Sequence, residues 1–247
     1  MKRIAGFIFL LWCCIPMLVS LVLVIPAYAL IFNFSSKEKG PHRAHALSRV
    51  WARFLFTGFF IRLHLKGKET IDPQGTYVFI SNHRSLLDIP AYALACSNTF
   101  RFLSKAELAR VPLLGYVIRN LYITVNRSDK HDRHRSIEKM LESLNENISV
   151  FLAPEGTRNT GTDPLLAFKD GAFRLAIAGQ YPVAVLVLHD AEQRLSPLRP
   201  LEMYPGTIHG EWIGLFETRG MTEADMPRLK EEIYRKMSDC LLQQRAG

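Results

Sequence analysis

The chain has 247 residues, of which 48% are hydrophobic and 22% charged, and its formal charge is +8. This composition excludes a disordered chain and fits one large domain, or one domain with an appendage. The positive balance points to an acidic partner, such as an anionic membrane surface or a phosphorylated substrate.

Nucleic acid is the poorest fit for that partner. The basic residues are scattered, and the uncharged apolar stretch from Ile4 to Phe34 has no use on a nucleic acid. Cys13 and Cys14 are adjacent, Cys96 and Cys240 are isolated, and no C-x-x-C spacing occurs. Neither a metal site nor a disulfide framework is indicated, so the chain reads as a reduced, cytosol-facing protein.

The Ile4–Phe34 stretch admits three readings. As a signal peptide it has a basic start (Lys2, Arg3) and an Ala27-Tyr28-Ala29 site, but its apolar core is too long and runs on past that site. As one helix it is long enough to span a bilayer. As a pair of helices broken near Pro16 or Pro26, it would dip into one leaflet. Basic residues flank both ends (Lys2 and Arg3; Lys37, Lys39 and Arg43), which favours both ends on the cytoplasmic side and hence the pair. Each arm of about 15 residues would reach only about 22 Å, short of a hydrocarbon core of about 30 Å. Residues 1–40 are therefore expected to form a membrane-embedded helical hairpin ahead of one domain over 41–247. His42 to Ile61 interleaves arginines with Trp51 and several phenylalanines, as in a helix at headgroup level or a core helix with solvated arginines.

Beyond it, strands and helices alternate. Leu63–Leu65, Thr76–Ile80, Phe102–Lys105, Leu121–Val125, Ser149–Ala153, Val183–Leu188 and Trp212–Phe216 read as strands. Helices are expected over Pro90–Ala95, around Ile137, Met140, Leu141, Leu144 and Ile148, and over Asp170–Ala178. A closing helix is expected after the capping box Thr222-Glu223-Ala224-Asp225. A short helix opens at Lys105, and Pro112-Leu113-Leu114-Gly115 reads as a turn. The fold class is α/β, with a mixed, mostly parallel sheet flanked by helices and the N-terminal helical segment in the membrane.

Chemistry concentrates after the strands. The buried-strand pattern Tyr77-Val78-Phe79-Ile80 stops at Ser81-Asn82, and His83 and Asp88 follow. Positions five apart do not share a helix face, so the two meet only if His83 sits in the turn and Asp88 on the first helical turn. Asp88 would then fix the tautomer of His83 and free the other ring nitrogen as a base, with the attacking hydroxyl supplied by substrate. The bland reading is a capping or solvated histidine. Pro154-Glu155-Gly156-Thr157-Arg158 reads as an anion site. Gly156 allows close backbone approach, Thr157 offers a hydroxyl, Arg158 a forked donor, and Glu155 orients Arg158 or accepts from a substrate hydroxyl. Arg127 and Lys105 are individually weak, since a basic residue after a strand is usually just solvated. In open α/β sheets, sites form outside the carboxyl ends of strands, and these groups all follow strands.

Taken in order, Asn82-His83-Arg84-Ser85-Leu86-Leu87-Asp88, Pro154-Glu155-Gly156-Thr157-Arg158, Phe168-Lys169-Asp170-Gly171-Ala172-Phe173 and Pro182-Val183 resemble the ordered blocks of the glycerolipid acyltransferases. The 1-acyl-sn-glycerol-3-phosphate acyltransferases are the nearest likeness, over about residues 60 to 220. The resemblance implies that His83 is the general base and Asp88 its orienting partner. It also implies that Arg127, Glu155, Gly156 and Arg158, with Lys105 nearby, hold the phosphate and glycerol of the acceptor.

It further implies a membrane enzyme facing the cytoplasm (the inner membrane in a bacterium) that joins lysophosphatidic acid and an acyl thioester to give phosphatidic acid in phospholipid biosynthesis. No cofactor is needed. The donor would be acyl-CoA or acyl carrier protein, and anionic membrane lipid a further partner. Departures in the block Tyr122-Ile123-Thr124-Val125-Asn126-Arg127, at Ala153 and at Val185 touch the acceptor's identity, so glycerol 3-phosphate or a lyso-ornithine lipid stay open as acceptors. Hydrolysis of a lipid ester or thioester stays open as a reaction.

Overall fold

The structure, a computed structural model, describes residues 1–112, 114–126 and 129–246. Among these, seven strands make one sheet: β1 (Ile61–Lys66), β2 (Val78–Ser81), β3 (Phe100–Lys105), β4 (Ile123–Val125), β5 (Ser149–Leu152), β6 (Val183–His189) and β7 (Gly206–Phe216). Their order is β1-β7-β6-β2-β5-β3-β4, and all neighbours run parallel except β6 and β7. This is the mixed, mostly parallel α/β sheet expected from the strand pattern.

The central strands are apolar at nearly every position because both faces of the sheet are covered. Every residue of β2, β5 and β6 is buried. The period of two then sorts side chains between two cores. Phe79, Phe151 and Leu186 join Phe100 and Trp212 on one face, beneath α2 (Lys39–Gly58) and α3 (Asp88–Ala95). Val78, Val150 and Val185 join Phe173 and Leu229 on the other, beneath α5 (Lys130–Asn145), α6 (Gly171–Gly179) and α8 (Met226–Ala246). Phe79 is fully buried between aromatic neighbours, so its truncation to alanine costs about 3–5 kcal/mol. The capping box forms as expected, Thr222 and Asp225 each accepting at the entry to α8.

Ile148, expected on the apolar helical face with Leu144, lies past the end of α5 at Asn145 and is buried at the entry to β5. Two further local expectations differ. A turn at Pro112–Gly115 was expected to lead into a strand from Leu121; Leu113 lies outside the described residues. The chain instead forms α4 (Leu114–Leu121), and the strand starts at Ile123. Val117, Ile118 and Leu121 fall on one buried helical face, and this spacing outweighs the Pro/Gly turn signal. A further short helix, α7 (Ala191–Arg194), follows β6.

The larger difference is at the N-terminus. The expected hairpin inside residues 4–34 does not form: α1 is one helix over Lys2–Phe34, with Pro16 and Pro26 inside it. Each proline forfeits its own N–H bond, but Pro16 seats against Gly58, where a side chain would collide. The hairpin is instead made by α1 and α2, with its turn after Phe34. Trp51 Nε1 donates to Ser20 Oγ at 2.9 Å, and Tyr28 and Ser48 share a hydroxyl bond of 2.6 Å. The buried positions of α1 (Gly6, Cys13, Ser20, Val24, Tyr28) recur on one stripe, while Ile4, Leu11, Ile15, Leu18 and Val22 face outward and are exposed. At 1.5 Å per residue α1 runs about 50 Å. It is long and apolar enough to cross a membrane, yet it packs along the domain from Gly6 beside Tyr204 to Asn33 beside Tyr116.

Candidate active site

Parallel pairing brings the carboxyl ends of β3, β5, β2 and β6 to one edge of the sheet. The polar groups of interest leave from that edge. His83 follows β2, the Glu155–Arg158 segment follows β5, and Lys105 ends β3. Adjacent strands are about 5 Å apart, so Lys105 leaves the sheet about 10 Å from β2.

His83 sits in the turn after β2 and Asp88 is the first residue of α3, as the five-residue spacing requires. Asp88 Oδ2 lies 2.8 Å from His83 Nδ1 and also accepts the backbone N–H groups of Arg84 and Ser85, both at 2.7 Å. Asp88 is only 1% exposed. A buried carboxylate is tolerable here because three donors replace its water. It follows that Nδ1 carries the proton toward Asp88 and that Nε2 is left as an acceptor on a partly exposed ring.

The turn is braced from below. The Asn82 amide makes two bonds to the backbone of Leu188: Nδ2 donates to the carbonyl at 2.8 Å, and Oδ1 accepts from the N–H at 2.8 Å. It thereby extends the β2–β6 ladder one residue past the strand. The buried Tyr92 hydroxyl donates to the Asn82 carbonyl. Burial pushes the Tyr92 phenol well up, so it remains a donor. Ser85 Oγ donates to the Leu195 carbonyl at 2.7 Å.

Glu155 differs from expectation. It neither orients Arg158 nor faces outward. Oε1 accepts the backbone N–H of His83 at 3.0 Å and Oε2 that of Leu166 at 2.8 Å, and the residue is 2% exposed. Burial raises its carboxyl from the ordinary value, while the two N–H donors and the nearby Arg84 charge pull it back. Its geometry is that of a tie between two loops rather than of a substrate ligand. Gly156 stands at φ +73°, a left-handed conformation that favours glycine, and turns the chain out from β5. Thr157 is exposed and Arg158 half-buried; no hydrogen bond or ion pair within the described residues engages the Arg158 guanidinium. Lys105 is exposed. Arg127 lies outside the described residues. Lys169 and Asp170 belong to a helix start, where Asp170 pairs with Lys230 at 2.6 Å. Among the described residues no group of three His, Cys, Asp or Glu side chains is placed to hold a metal ion.

Sequence reasoning missed the roles of Asn82, Arg84, Tyr92 and Asn159. Asn82, Arg84 and Asn159 each meet a backbone group far along the chain, and Tyr92 one on the preceding turn, none of which local spacing reveals.

The sequence matches the Acyltransferase family over residues 62–189, just over half of its length. The chain belongs to this family. Its relatives include a chloroplastic 1-acyl-sn-glycerol-3-phosphate acyltransferase of Brassica napus, 28% identical over 76% of this chain and 54% of the relative. The human 1-acyl-sn-glycerol-3-phosphate acyltransferase beta is 27% identical over 74% of this chain and 66% of its own length. Human lysophosphatidylcholine acyltransferase 1 is also 27% identical, over 80% of this chain and 38% of the relative. The chain thus spans about half to two thirds of the curated relatives it matches first. In fold it is similar to the 1-acyl-sn-glycerophosphate (LPA) acyltransferase PlsC of Thermotoga maritima, with a TM-score of 0.83 over 100% of this chain and 99% of that one at 20% identity. Both the family match and this likeness take in His83, Asp88, Glu155 and Arg158.

Proposed function

We propose that this protein is a membrane-bound O-acyltransferase that moves a fatty acyl group from an acyl thioester to the sn-2 hydroxyl of 1-acyl-glycerol-3-phosphate, giving phosphatidic acid. One observation carries the reading: the His83–Asp88 pair stands at the same sheet edge as an arginine, Arg158, whose guanidinium no described group engages. The names of the relatives support the acceptor class.

The acceptor's phosphate rests against Arg158, with Lys105 and, on the resemblance alone, Arg127 adding charge. Its free hydroxyl donates to Nε2 of His83. As oxygen attacks the thioester carbonyl, the proton passes to His83, and the imidazolium is held by the Asp88 carboxylate. The tetrahedral oxyanion collapses, the C–S bond breaks, and the proton goes from His83 to the departing thiolate. Gly156 and Thr157 shape the turn that presents Arg158, and Glu155 fixes that turn to His83. Acyl-CoA and acyl carrier protein both supply the required thioester, and neither is singled out by these residues.

The outward apolar face of α1 lies in one leaflet of the membrane, with the basic residues of α2 at the anionic headgroups and the sheet edge toward the cytoplasm. Packing of α1 along the domain supports an embedded rather than a spanning helix, because a helix held against a folded domain over its whole length cannot also cross the bilayer. A second reading, acylation of another lyso-lipid, is supported by the similarity to human lysophosphatidylcholine acyltransferase 1.

The test is thiol release from acyl-CoA and from acyl carrier protein by detergent-purified protein, with and without each acceptor. Release that requires lysophosphatidic acid, with phosphatidic acid formed in equal amount, is expected. Equal release without any acceptor overturns the transferase reading in favour of a hydrolase.

A further inference from the structure

Arg84 follows the proposed base directly, and a basic residue there invites assignment as another phosphate ligand. Its contacts argue otherwise. Nη2 donates to the Gly161 carbonyl at 3.0 Å and Nη1 to the Asp163 carbonyl at 3.1 Å, while Nε lies 3.1 Å from Glu192 Oε1 in α7. The side chain is only 11% exposed. The two terminal nitrogens are hydrogen-bonded to backbone carbonyls, while Nε is buried without a hydrogen bond among the described residues and meets Glu192 as an ion pair only.

What these bonds hold is the loop that presents Arg158. The loop leaves β5 through Glu155, which is tied to the His83 N–H, and returns through Asn159, whose N–H donates to the His83 carbonyl at 2.8 Å. Asn159 then closes a small ring: its Nδ2 donates to the Asp163 carbonyl and its Oδ1 accepts from Gly161 N–H. Arg84 grips this ring at the same two residues, Gly161 and Asp163. The His83 backbone therefore fastens both shoulders of the Arg158 turn, and the Arg84 guanidinium grips the second one again, further along, at Gly161 and Asp163. Through Glu192 the same side chain links that turn to α7, which Ser85 also holds by its bond to Leu195.

We propose that Arg84 is a positioning residue for acceptor recognition: it sets the distance between the Arg158 guanidinium and the His83 ring, and so determines how an anionic acceptor meets the base. This rests on the acyl-transfer reading for its kinetic half but not for its structural half. Holding two separate carbonyls at once, Gly161 and Asp163, needs a planar fork, which lysine does not offer.

The test has two arms on full-length protein: amide hydrogen exchange, and kinetics with lysophosphatidic acid and acyl-CoA. For Arg84→Gln and Arg84→Lys, exchange over residues 157–163 should speed up at least about tenfold, while the Arg84 and Ser85 amides held by Asp88 stay protected. The acceptor KM should rise about tenfold or more, with the kcat–pH profile unmoved. Arg84→Gln combined with Arg158→Ala should raise KM no further than Arg158→Ala alone. Unchanged exchange over 157–163 overturns the proposal even if the enzyme proves inactive toward every acceptor. So does Arg84→Lys at wild-type KM. If exchange speeds up but no acceptor is turned over by the wild type, the staple stands and the acyl-transfer reading fails.

Discussion

The Glu155 carboxylate meets His83 at its main-chain N–H, not at its ring. The His83 N–H donates to a Glu155 carboxylate oxygen that is nearly inaccessible to water. The carboxylate's other oxygen is taken by Leu166. An acidic residue beside a proposed phosphate site is thereby accounted for without facing the phosphate.

Glu155→Ala should leave two buried N–H groups unsatisfied and lower stability by about 1–3 kcal/mol per group, with a fall in kcat from a loosened His83. Glu155→Gln, which keeps one carbonyl oxygen, should lose less in both. Urea unfolding and initial rates on the same preparations check this; a Glu155→Ala protein of wild-type stability would refute the tie.

Asp88→Asn should reduce kcat at least about 10²-fold, since positioned general-base catalysis is typically worth 10²–10⁴-fold. The unfolding midpoint should move less than in Asp88→Ala, because an amide oxygen still accepts from Arg84 and Ser85. Rates alongside denaturant midpoints separate the two effects.

Arg158→Ala should raise the acceptor KM with a smaller effect on kcat, and Arg158→Lys should recover part of it, as a point charge replaces a fork. An unchanged KM for lysophosphatidic acid would remove Arg158 from the phosphate site.

His45 in α2 is buried with its Nε2 unpartnered, and burial, chiefly, pushes its pKa down from 6.5 to about 3. Below pH 6.5 the unfolded chain takes up a proton that the folded chain does not. Stability should therefore fall as pH drops from 6.5 toward 3, by up to about 1.4 kcal/mol per pH unit from this group. His45→Leu should flatten that limb in urea titrations between pH 4 and 7, and an identical slope would contradict the assignment.

The His83–Asp88 pair was legible in the sequence because everything that forms it lies within one turn: a strand stop, a five-residue gap, and a helix start. The central strands β2, β5 and β6 were legible as unbroken apolar runs because both faces of the sheet are covered there, whereas β1 and β7 alternate between buried and more exposed positions. Glu155 was not, because its partner is the main chain of a residue 72 positions away. The continuity of α1 was hidden for the same reason, since the pocket for Pro16 is made by Gly58 on another helix. Proline read locally is a breaker, yet Pro16 and Pro26 both lie inside α1.

The account's central claim is that the His83 imidazole removes the proton from the acceptor hydroxyl. The most direct measurement is kcat for phosphatidic acid formation by His83→Ala, with vesicle binding and the unfolding midpoint recorded on the same protein. The account predicts a loss of at least about 10²-fold in kcat with membrane binding unchanged. Turnover near the wild-type rate by a folded, membrane-bound His83→Ala protein would contradict it.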